Sequence, residues 1–108
     1  PAVVPLTVDV PIGEAMALAQ KAALQRGWQV LETAAPTGRA GTGRIEAVDR
    51  SLVLRLPSDV TVRLRGVGSG TRIDVRAASR TGQHDLGAQA QRITDYLRTL
   101  NELVEARD

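Results

Sequence analysis

A two-layer α+β sandwich is the fold this sequence predicts: an antiparallel sheet of about five strands with two helices packed on one face, in the order β-α-β-β-β-β-α. Three observations predict it. Apolar and charged residues alternate along residues 60–65 and 72–77, the period of a strand with one buried face. Apolar residues recur at 86, 90, 93, 97, 100 and 104, the spacing of one helix face. Two helices cannot bury themselves alone, and a sheet with one apolar face needs a cover. No internal repeat is visible, and 108 residues are enough for one domain and a single core.

Val3 to Val8 reads as a short strand interrupted by Pro5, which argues for an edge position or a late start. Asp9 is placed as a helix N-cap, with Pro11 tolerated in the first turn. The helix then runs to about Arg26, with Ile12, Ala15, Ala19 and Ala22 on one face, widened by Met16 and Ala23. So many alanines imply close approach to the sheet. Gly27 is placed as the left-handed residue that ends the helix. Trp28 to Thr33 forms the next strand, with Trp28 anchoring the edge of the core. Residues 34–43, AAPTGRAGTG, are a loop by composition.

Arg44 to Arg50 is extended, with Ile45 and Ala47 inward. Ser51 to Leu56 continues or restarts that strand, and the switch of parity implies a bulge or turn near Asp49 and Arg50. Pro57-Ser58-Asp59 is a turn signal. Val60, Val62 and Leu64 point in while Thr61, Arg63 and Arg65 point out. A Gly-rich link, Gly66 to Gly70, joins this strand to Arg72–Ala77 as a hairpin. In its simplest register Arg63 faces Asp74. Ser79-Arg80-Thr81-Gly82 then turns into the last helix, with Asp85 at its N-cap position.

Composition narrows the function classes. Phe is absent and Trp28 and Tyr96 are the only aromatics, so the core is built from Val, Leu, Ile and Ala. Thirteen arginines stand against a single lysine, Lys21, yet the net charge is only +2. That balance does not point to nucleic acid, and the sheet face has no aromatics on which bases could stack. Without cysteine, disulfides and thiol chemistry are excluded. No apolar run is long enough to span a membrane. The chain starts at Pro1 with neither an initiator Met nor a signal peptide, which is compatible with a processed piece that has lost an anchor or signal.

The alternation leaves one sheet face open, carrying Glu46, Arg55, Arg63, Arg65, Arg72, Asp74 and Arg76. Its plainer reading is a solvated face whose charges pair across strands. Its sharper reading is a binding surface for an acidic protein or another anionic ligand. The corner at Arg80 enters a helix N-terminus, which favours anions. Asp85, paired with Arg80 or Arg92, is the alternative occupant of that position. The candidate binding residues are therefore Arg63, Arg76, Arg80 and Arg92. Asp59, Asp74 and Asp85 are expected in a structural ionic network with them.

Catalytic patterns are poor, so enzymatic function is not the expectation. A single His, His84, cannot build a zinc site without Cys or a second His. Ser79 and His84 lack an orienting acid and an oxyanion hole. Carboxylates at 46, 59 and 74 would be held ionised by the arginines around them. No metal or cofactor is expected. A ligand or enzymatic pocket between sheet and helices is the alternative, and it requires an apolar cavity there.

Residues 74–93, DVRAASRTGQHDLGAQAQRI, resemble the signature of the domain of unknown function 1499 family. Asp74, Arg76, Ser79, Arg80, Gly82, Asp85, Gly87, Ala90, Arg92 and Ile93 fit its pattern. Upstream, Gly27-Trp28, Arg44-Ile45-Glu46-Ala47 and Asp59-Val60 leading to Arg63 are similar too. Ala77, His84 and Gln89 depart from it, as does Ser58, and aromatics usual near 51–56 are missing. The resemblance spans nearly the whole chain and implies no agreed activity. It does imply a cell-envelope setting, since bacterial members of the family often carry an N-terminal membrane or export segment; plastid relatives exist as well. The combined expectation is a non-enzymatic binding or scaffolding module.

Overall fold

The computed structural model describes residues 5–38, 41–50, 57–80 and 86–107. Strands β1 (Leu6–Val8), β2 (Gln29–Ala34), β3 (Thr42–Asp49), β4 (Ser58–Val67) and β5 (Gly70–Ser79) form one antiparallel sheet in the spatial order β1-β5-β4-β3-β2. Helix α1 (Ile12–Gln25) follows β1, and α2 (Leu86–Ala106) closes the chain. The order is the expected β-α-β-β-β-β-α, and both helices lie on one face of the sheet.

Each element follows from its local chemistry, with corrections at the ends. β1 sits at an edge and begins only after Pro5, because proline cannot donate to a ladder. Asp9 is not the N-cap of α1. Pro11 takes that position in extended backbone and makes no side-chain capping bond, while its carbonyl accepts from Ala15 N–H at 2.9 Å. Gly27 does end α1 in the left-handed region, at φ 76°. Trp28 N–H donates to Ala23 O at 2.9 Å and Gly27 N–H to Leu24 O at 3.0 Å, the pair of bonds that closes a Schellman motif.

The turn signal at 57–59 does not make a turn: Ser58 and Asp59 already pair with Asp49 and Val48 in the sheet. β4 and β5 close on a two-residue hairpin turn, Gly68-Ser69, with Gly68 at φ 60°. That short turn sets the register, and Arg63 does face Asp74. The expected strand at 51–56 lies outside the described residues, as do Asp85 and His84.

The core lies between the sheet and the helices. Ile12, Ala15, Met16, Ala19, Ala22 and Ala23 of α1 pack with Ile45, Ala47, Val60, Val62, Leu64 and Ile73 of the sheet. From α2 come Ile93, Leu97 and Leu100, as the spacing predicts, and also Tyr96. Trp28 is buried and stacks on Tyr96, with centroids 4.6 Å apart and planes 15° from parallel. The Tyr96 hydroxyl donates to Ala19 O at 2.8 Å, tying α2 to α1. Burial of the phenol, which penalises its charged form, raises its pKa above the ordinary value. Among the described residues no helix is long and apolar enough to cross a membrane.

Candidate functional site

Opposed residues in an antiparallel pair point to the same side of the sheet. Thr42, Arg44 and Glu46 of β3, Asp59, Thr61, Arg63 and Arg65 of β4, and Arg72, Asp74 and Arg76 of β5 therefore share the face away from the helices. The register places Arg65 directly against Arg72. It also places Arg44 directly against Arg63. Such partners have Cβ atoms only about 5 Å apart, and like charges in that relation destabilise a sheet. Two arginine–arginine pairs thus lie side by side on one face.

These pairs border an open hollow of about 740 Å³, lined by Arg44, Arg63, Arg65, Arg72 and Asp74, with Thr42 and Ala34 at its margin. Its ion pairs are long and half-exposed. Arg72 Nε is 3.7 Å from Asp74 Oδ2. Arg44 reaches Glu32 at 3.5 Å and Glu46 at 3.8 Å. Glu46 is also held by the Thr61 hydroxyl, which donates to it at 3.1 Å. Exposed pairs of this kind are worth about 0–1 kcal/mol and do not lock a side chain. Among the described residues, Arg63, Arg65 and Arg76 have no carboxylate within ion-pair distance.

The residues singled out from the sequence are distributed over both sides of the sheet. Arg63 and Asp74 stand in the hollow, facing each other across β4 and β5, although the ion pair that Asp74 makes is with Arg72. Arg76 is on the same face, one row beyond, opposite Thr61. Arg80 lies just past β5 and pairs with Asp59 at 3.0 Å, and its N–H donates to Pro57 O at 2.9 Å. Arg92 is elsewhere, under the sheet and only 1 % exposed. Of the network expected around Asp59, Asp74 and Asp85, the described residues show Arg80 with Asp59 and Arg72 with Asp74, while Arg92 pairs with Asp49 on the helix side of the sheet. Asp85, the network's remaining member, lies outside the described residues.

Arg92 belongs instead to a buried cluster that holds α2 on the sheet. Its Nε donates to Asp49 Oδ2 at 2.6 Å. One terminal nitrogen donates to Gln89 Oε1 at 2.7 Å and to the Ser58 hydroxyl. Gln89 Nε2 donates to the same hydroxyl at 2.9 Å. Among the described residues no buried side-chain nitrogen or oxygen is left without a partner. A cation so enclosed can fix a helix but cannot reach a ligand.

Asp49, Ser58 and Gln89 were not legible as functional or structural polar residues from composition. A signal existed for two of them. Asp49 shares the inward parity of Ile45 and Ala47, and Gln89, Arg92, Tyr96 and Leu100 follow helical spacing on the arc that faces the sheet. Arg44, too, has the outward parity opposite Ile45.

The layer between sheet and helices is occupied by the core side chains, and the arginine hollow lies on the opposite face. Among the described residues no group of His, Cys, Asp or Glu is placed to hold a metal ion. The hollow offers fixed positive charge, planar bidentate donors and one carboxylate, which is binding chemistry for an anion.

A family model described as "Protein of unknown function (DUF1499)" matches residues 1–100 of the chain. Comparison with curated proteins finds no match.

Proposed function

Since the chain belongs to the DUF1499 family, whose description carries no activity, we propose from its surface that it is a non-enzymatic binding module. Its open sheet face captures an anionic ligand, either an acidic protein or a small anion. The observation that carries this reading is the juxtaposition of Arg65 with Arg72 and of Arg44 with Arg63 in one hollow. A purely solvated face would place a carboxylate opposite each cation, because directly opposed like charges cost stability. An anion between the arginines converts that cost into binding free energy. The setting proposed with it is the cell envelope, on the family resemblance alone.

Calorimetric titration with tripolyphosphate at low ionic strength tests the reading. Binding is expected, weakening as salt screens the exposed charges. The Arg63→Ala/Arg65→Ala double variant is expected to lose it while keeping its fold by circular dichroism. Absence of any binding at low salt would sink the proposal.

A further inference from the structure

The two arginine pairs stand in adjacent rows of the open face, and their separation is set by the strands. Arg63 and Arg65 are two residues apart on β4, and two residues of strand rise about 7 Å. The pair Arg65–Arg72 spans β4 and β5 and the pair Arg44–Arg63 spans β3 and β4, so one strand spacing of about 4.8 Å adds to that rise and the pair midpoints are about 8 Å apart. Each pair sets two arginines at directly opposed positions, from which both guanidinium groups can reach one phosphate or carboxylate. Four arginines against the one carboxylate of Asp74 leave three positive charges lining the hollow. A volume of about 740 Å³ falls within the roughly 300–1,000 Å³ of small-molecule sites. Asp74 continues the Arg44–Arg63 row, opposite Arg63, and its carboxylate is 3.7 Å from Arg72. It rejects a third anion at that point.

We infer that the hollow takes a small soluble ligand with two anionic groups, phosphate or carboxylate, about 8 Å apart, one at Arg65–Arg72 and the other at Arg44–Arg63. This rests on the anion-binding reading and adds a ligand size and valency to it. The second subsite is the weaker, since Arg44 is shared with Glu32 and Glu46.

A series of α,ω-alkane bisphosphonates with one to six methylenes measures the spacing directly, by calorimetry on the wild-type chain. The members with about five methylenes are expected to bind best, about 10-fold tighter than the methylene-bridged one, because only they add a second charged contact. Arg65→Ala and Arg63→Ala are each expected to erase the length preference, leaving the affinity of a monophosphonate. Asp74→Asn, which removes the negative charge opposite Arg63 and beside Arg72, is expected to tighten binding of every member. If the methylene-bridged member binds as tightly as the longer ones, the two-subsite inference fails while the anion-binding reading stands. If tripolyphosphate and every member fail to bind, both fall. Association with phosphatidylglycerol vesicles but with no soluble bisphosphonate also overturns the inference.

Discussion

Arg92 of α2 donates to Asp49 of β3 at 2.6 Å, with side chains only 1 % and 5 % exposed. A buried cation and anion in this relation depend on each other, since either one left alone keeps its desolvation cost without its partner. Arg92→Ala or Asp49→Ala is therefore expected to cost about 3–5 kcal/mol, read as a fall in the urea midpoint. The Asp49→Leu/Arg92→Met double variant is expected to recover part of that loss, because neither member of this pair is then left buried without the other. A double variant as unstable as the sum of the singles would contradict this account.

On the open face the sign reverses. Arg65 opposes Arg72 directly. Replacing Arg65 with Glu converts a repulsive pair into an attractive one and is expected to raise stability by about 0.2–1 kcal/mol. The same variant is expected to lose anion binding. Gain in stability with loss of binding is the pattern of a residue kept for function. A variant that is both less stable and fully binding-competent would show that these arginines have another role.

Tyr96 connects α2 to α1 through its bond to Ala19 O and its stack on Trp28. Tyr96→Phe keeps the stack and removes the bond, at an expected cost of about 0.5–1.5 kcal/mol in chemical denaturation. The buried phenol also makes alkaline stability pH-dependent. Its pKa is raised in the folded chain by burial, while the unfolded phenol ionises near about 10. The unfolded chain thus loses its proton first, so the stabilising contribution is fully present below that pH and is lost as pH rises above it. Ultraviolet absorbance should show Tyr96 ionising only as the protein unfolds. Tyr96→Phe should flatten the alkaline fall in stability.

Gly27 ends α1 at φ 76°, and a Cβ built there would meet nothing within 4 Å. Its substitution therefore tests backbone conformation without steric clash. Gly27→Ala is expected to cost about 1–2 kcal/mol, and Gly27→Asn less, because Asn tolerates the left-handed region. Equal melting temperatures for Ala and Gly at this position would mean that the helix end relaxes to another conformation.

The residues themselves determined the order of elements and the side of the sheet each side chain takes. Periodicity is local: Val60, Val62 and Leu64 alternate with Thr61, Arg63 and Arg65 whatever the strand pairs with. The meeting of Arg63 with Asp74 was legible for a related reason, since a two-residue turn leaves the β4–β5 hairpin one register. The tertiary structure alone decided that Arg44 lies against Arg63, because β3 and β4 are joined through residues 50–57 and no short turn sets their register. It also decided the role of Arg92. A helix arc says that a residue faces inward. Only the packed sheet supplies Asp49 and Ser58 at the distance that makes a buried guanidinium tolerable. Local spacing assigns faces, whereas the neighbour across a strand or a layer assigns the charge each residue meets.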